Sequence, residues 1–122
     1  MPVKGEFVRT DVKPRETETG VEVDITVETR NAGDETGYIW TRVLVDGSIR
    51  ISRTGRLNPG DTLTDRTSVK KTEQVMEVKF FVYHSTDGKN WTQDDYRKIN
   101  VYTANISTVP ADAEIWVDGG KW

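Results

Sequence analysis

"VEVDITVE", residues 21–28, decides the fold. Val21, Val23, Ile25 and Val27 alternate with Glu22, Asp24, Thr26 and Glu28, so an extended chain puts the apolar groups on one side and the polar groups on the other. A helix would scatter both sets around its circumference. The stretch therefore reads as an antiparallel strand with one face in the core and one in water. The same period returns in "VMEVKFFVY", residues 75–83, where Met76, Val78, Phe80 and Val82 share one face and Glu77, Lys79, Phe81 and Tyr83 the other.

Between and around these stretches the chain is punctuated by turns. "NAGDETG" breaks the alternation with Asn31, Gly33, Asp34 and Gly37, residue types that tolerate positive φ or bond their own backbone. "YIWTRVLVDG" reads as a second strand ending at Asp46-Gly47, the strongest short hairpin signal, after which "SIRISRTG" returns beside it or crosses to another sheet. "LNPGDT" offers Pro59 and Gly60 as the central pair of a type II turn, with "LTDRTSVKK" as the strand beyond. "YRKINVYTA" is a last long strand and "EFVRTDV" a first edge strand. The expectation is an all-β protein: an immunoglobulin-like, two-sheet antiparallel β-sandwich with Greek-key connections and about seven or eight strands. Residues 1–109 would form the sandwich, and residues 110–122 an extension holding one strand.

With 122 residues, one core suffices. Only 34% of residues are hydrophobic, which is enough when they are arranged with period two. The chain has no cysteine, so packing and backbone pairing carry the stability without disulfides or thiolate zinc sites. The net charge of −3, with both signs interspersed, leaves no footprint for a phosphate backbone, and nucleic acid is not expected as a partner. Nothing near Met1 resembles the apolar stretch of a signal peptide, and no segment is apolar enough for membrane insertion.

"YHSTDGKNWTQDD", residues 83–95, gathers the single histidine, a tryptophan and paired aspartates. Asp87-Gly88 is turn chemistry, so the segment reads first as a link between two strands held by local hydrogen bonds. His84 continues the inward row of Met76 to Val82 and reads as a packing residue. Catalysis or metal binding would need a second group within reach. A Ser-His-Asp triad written from Ser85 and His84 lacks an orienting scaffold, because neighbouring side chains on a strand point to opposite faces. Asp87, Asp94 and Asp95 lack the spacing of an EF-hand loop. No enzyme activity, cofactor or metal site is expected. Asn90 and Asn105 open glycosylation triplets, which matter only in an exported chain.

Taken together, "VEVDITVETRNAGDETGYIWTRVLVDG", "LNPGD" and "VKFFVY" resemble the CARDB family of immunoglobulin-like modules over about residues 21–103. The "STDGKNW" segment also resembles a hairpin of discoidin-like sandwiches. The CARDB resemblance implies a noncatalytic module of bacterial or archaeal surface proteins, used for adhesion, spacing or assembly; the expected location is extracellular or on a virion surface. It supplies no ligand.

In such a sandwich "YIWTRVLV", "MEVKFFVY" and "YRKINVY" lie side by side in one sheet. If Ile39, Thr41, Val43 and Val45 face the core with Met76, Val78, Phe80, Val82, Ile99 and Val101, the outer face displays Tyr38, Trp40, Arg42, Leu44, Phe81, Tyr83, Tyr96 and Tyr102. A one-residue slip would instead bury Trp40 as a core tryptophan. An exposed aromatic face suits a protein partner or a homo-oligomer contact. The alternative is a carbohydrate-binding module that stacks a glycan on Trp40 and Tyr83 and holds its hydroxyls with Arg42, Glu77 or Asn100.

The final stretch, "VPADAEIWVDG", resembles the opening of a PEGA domain, a surface-associated β module. One strand is not stable alone. Ala113, Ile115, Trp116 and Val117 are therefore expected to add to a sheet edge, in this chain or in another.

Overall fold

The computed structural model describes residues 2–71, 75–103, 115–117 and 120–121. Ala113, Pro110 and Asn105 lie outside the described residues. The long strands are β1 (Gly5–Thr17), β2 (Gly20–Asn31), β3 (Gly37–Val45), β4 (Ser48–Leu57), β5 (Thr62–Lys71), β6 (Val75–Ser85) and β7 (Thr92–Thr103), followed by the short β8 (Ile115–Val117) and β9 (Gly120–Lys121). They form an antiparallel β1-β2-β5 sheet packed on a β4-β3-β6-β7-β8-β9 sheet. The chain changes sheet between β2 and β3, between β4 and β5 and between β5 and β6, and this gives the immunoglobulin-like sandwich its Greek-key order.

Period two decides which side chains meet between the sheets. Val21, Val23, Ile25 and Val27 are buried, opposed by Ile39, Val43, Val45, Met76, Val78, Phe80, Val82 and Val101, with Ile99 packed at the margin. Each fully buried side chain of this size contributes about 1.5–3 kcal/mol relative to exposure. Phe7 of β1 meets Phe80 edge to face at 6.4 Å between ring centres. Thr41, inward as expected, bonds Thr29 of the facing sheet hydroxyl to hydroxyl at 2.8 Å, so a buried polar pair joins the two layers at no unsatisfied cost.

The turns follow their sequence signals, "NAGDETG" through side-chain bonds to its own backbone and not through positive φ. Asp46 and Gly47 have φ of 49° and 83°, the left-handed pair that closes a two-residue hairpin, and β4 returns beside β3. Gly60 has φ of 87°, and the Asp61 amide donates to the Asn58 carbonyl at 3.0 Å, completing the turn around Pro59. In "NAGDETG", by contrast, no residue takes positive φ. Its glycines serve close approach instead: a side chain on Gly33 would run into the Pro2–Val3 backbone, and one on Gly37 into the Val3 side chain. Asn31 is fully buried there, where its Oδ1 accepts from the Gly33 and Lys4 amides and its Nδ2 donates to the Glu35 and Leu57 carbonyls.

At the end of the chain, Ile115, Trp116 and Val117 pair with Thr103, Tyr102 and Val101 of β7. The added strand thus lies on this sandwich's own edge.

Candidate contact surface on the larger sheet

The outward positions of the larger sheet follow from the same alternation. Cross-strand register sets Trp40 opposite Tyr83, Arg42 opposite Phe81 and Leu44 opposite Lys79, and on the far side of β6 it sets Phe81 opposite Tyr96 and Val75 opposite Tyr102. Directly paired residues on one face stand close enough for large rings to meet. Trp40 stacks on Tyr83 with ring centres 4.7 Å apart and planes 30° apart. Tyr83 lies nearly parallel to Phe81 at 6.3 Å, and Phe81 meets Tyr96 at 5.0 Å. The slipped register with Trp40 in the core does not occur: Trp40 is half-buried on the outer side and donates its indole N–H to Ser52 at 3.0 Å.

The segment between β6 and β7 contributes to this surface, which sequence reasoning missed. Trp91 reaches Trp40 at 5.5 Å between ring centres. What aims it is the turn before it. Asp87 takes the Lys89 and Asn90 amides at 2.8 and 2.9 Å, the Asn90 side chain at 2.8 Å and the Ser85 hydroxyl at 2.8 Å, while Ser85 accepts from the Gly88 amide at 2.8 Å. The Asn90 amide first, then the Lys89 amide and the two side-chain donors, hold the Asp87 carboxyl far below the usual carboxylate range. Gly88, with φ of 76°, rests against the Tyr38 ring. The turn therefore leans over Tyr38 and delivers Trp91 onto Trp40. The expected signal was there in "DGKNW", but only the loop's path says which face the tryptophan joins.

The surface is also cationic. Arg42 lies over the Trp40 ring at 5.0 Å, a cation–π contact, and its Nε is buried without a hydrogen-bond partner among the described residues. Glu77 is shared by Lys79 at 3.3 Å and Lys98 at 3.7 Å. Arg56 stands opposite Tyr38 and is exposed. Tyr102 is not part of the ring cluster. It sits six residues along β7 from Tyr96, about 20 Å at the usual rise, beside the exposed Val75. Leu44 is half-buried on the same outer face, with exposed Ile49 across the β3–β4 ladder.

His84 has a partner of its own. The β6–β7 ladder slips between Val82 and Tyr83, so Asp94 is an extra residue in β7, and its side chain turns inward to 6% exposure. Its Oδ2 lies 2.7 Å from His84 Nδ1 and accepts the Gly5 amide at 2.7 Å, tying β1 of one sheet to β7 of the other. Ser85 is engaged in the Asp87 turn, so Ser85, His84 and an aspartate do not converge. Asp87 and Asp94 likewise direct their oxygens to separate partners.

No protein-family model and no curated protein matches the chain. Among solved structures, a novel β-glucosidase from Erythrobacter marinus is similar at 11% identity and a TM-score of 0.45, over 79% of this chain and 15% of that one. A likeness that faint carries no functional argument.

Proposed function

We propose that the chain is a noncatalytic interaction module, of the CARDB-like kind used in cell-surface, virion or filament assemblies, and that it meets a protein partner through the outer face of its larger sheet. The observation that carries this reading is the contrast between its two outer faces. On the smaller sheet Arg15 bonds Glu22 and Asp24, Arg30 bonds Glu6 and Arg9 bonds Asp11, which is how a strand face is kept in water. The larger sheet devotes the equivalent positions to Trp40, Phe81, Tyr83 and Tyr96. A sandwich does not need that row for its core, and aromatic residues mixed with arginine are what protein contact surfaces concentrate.

The test compares the wild type with a Trp40→Glu, Phe81→Lys variant by light scattering over a wide concentration range and by amide hydrogen exchange, alone and in the assembly that contains the chain. Slowed exchange of β3 and β6 amides in the assembly, lost in the variant, supports the reading. Identical association and unchanged protection refute it. The alternative is carbohydrate binding, favoured by the exposure of Tyr96 and Tyr102 at 42% and 37%. Against it, the Trp40 ring is already engaged by Tyr83, Trp91 and Arg42. Glycan-array binding lost in Trp40→Ala and retained in Asp87→Ala would establish sugar stacking on the sheet over the loop.

A further inference from the structure

We infer that the partner of this face is an acidic segment of another protein chain. The inference rests on reading the face as a protein contact surface, and it adds the chemistry of what is contacted.

The charge of the face opposes the charge of the chain. The protein as a whole carries −3. Yet the outward row of β3, β4, β6 and β7 bears Arg42, Arg56, Lys79 and Lys98 against Glu77 among the described residues. Glu77 is already divided between Lys79 and Lys98. Arg42 and Arg56 have no carboxylate within ion-pair distance among the described residues, whereas on the opposite face Arg9 and Arg30 each have one and Arg15 has two. Excess positive charge next to stacked rings is a surface complementary to carboxylates.

Arg42 sharpens the argument. Its guanidinium is held over Trp40, and its Nε–H is buried with no acceptor among the described residues. A docked carboxylate does not reach a donor that water does not reach, so it is the remainder of the Arg42 guanidinium that a partner meets. A carboxylate drawn to the guanidinium would give it the planar, forked acceptor that arginine matches best. The same charge argues against the simplest homodimer: two copies placed face to face would bring like-charged rows together, a contact that costs rather than gains. An acidic polysaccharide would meet the arginines too, but the engaged ring of Trp40 gives its sugars little to stack on.

The experiment titrates the full chain with three soluble probes and follows backbone amide shifts: a glutamate–tyrosine copolymer, a lysine–tyrosine copolymer and polygalacturonate. The glutamate–tyrosine copolymer is expected to shift amides of β3, β6 and β4, with binding falling about tenfold between about 50 and 300 mM salt as the charges are screened. Arg42→Gln should weaken it most. Because that change also disturbs packing on Trp40, Arg56→Gln with Lys98→Gln serves as the second variant, altering only exposed groups and expected to weaken binding about three- to tenfold. Binding of the lysine–tyrosine copolymer at the same amides, or salt-independent binding, overturns the acidic partner and leaves the contact reading standing. Polygalacturonate binding in the absence of polypeptide binding overturns both in favour of a glycan. No shift with any probe overturns the inference, while the contact reading is decided separately by amide protection in the assembly.

Discussion

Replacing Asn31 should do more damage than its place beside a loop suggests. The side chain has two donors and two acceptor sites, and all four are used: 3.0 Å from Gly33 N and 3.4 Å from Lys4 N at Oδ1, and 2.8 Å to the Glu35 carbonyl and 3.0 Å to the Leu57 carbonyl at Nδ2. These bonds join the N-terminal segment, the β2–β3 connection and the end of β4 at one point that water does not reach. Asn31→Ala removes all four and strands several of the groups in a buried site, each at about 1–3 kcal/mol if it stays unsatisfied. Allowing for relaxation, the loss is about 3–5 kcal/mol, or roughly 10–20 °C in melting temperature for a domain of this size. Asn31→Asp keeps the shape but aims an acceptor at the Glu35 and Leu57 carbonyls. Burial and those carbonyls raise the folded pKa of the introduced carboxyl, so the ionisation part of its penalty is absent below the unfolded value of about 4 and grows as the pH rises towards the raised value, on top of a pH-independent loss because one O–H replaces two N–H donors. Urea denaturation of both variants at several pH values measures this. A loss under about 1 kcal/mol for Asn31→Ala, or a flat pH profile for the difference between Asn31→Asp and wild type, would refute the reasoning.

Gly37→Ala should cost about 1–3 kcal/mol by overpacking against Val3, and combining it with Val3→Ala should recover part of that; strict additivity in the double-mutant cycle counts against the contact. Asp94→Ala should cost about 1.5–3 kcal/mol and speed amide exchange at Gly5, because it removes the acceptor shared by Gly5 and His84, while His84→Ala leaves the Gly5 amide protected. Asp87 stabilises its turn as a carboxylate with a depressed folded pKa, so its contribution is complete above the ordinary carboxylate range and is lost as the pH falls towards the folded value. Carboxyl chemical-shift titration should show Asp87 ionised well below pH 3.8, the ordinary value, and Trp91 fluorescence should change in Asp87→Ala but remain steady in wild type through mildly acidic pH.

Strand faces were legible because alternation is a local property. In β2, β3 and β6 most inward positions are apolar, and a strand has only two sides, so "VEVDITVE", "YIWTRVLV" and "VMEVKFFVY" announced both the buried row and the outward row that holds Trp40, Phe81 and Tyr83. The turns at Asp46-Gly47 and Pro59-Gly60 were legible for the same reason, since each requires backbone angles that few residue types adopt. What alternation could not foresee depends on residues far apart in the chain. Asp94 becomes the partner of His84 because one extra residue in the β7 ladder reverses the side it faces. Gly33 and Gly37 matter because Pro2 and Val3 fold back over them, not because of their own φ. Trp91 joins Trp40 because a turn bound through Asp87 leans on Tyr38, and Asn31 becomes a buried hub because three separate segments bring backbone groups to it. Each of these is a meeting in space set by a ladder slip, by a turn or by the crossing of the chain between sheets, and a periodicity of two residues holds no information about where those land.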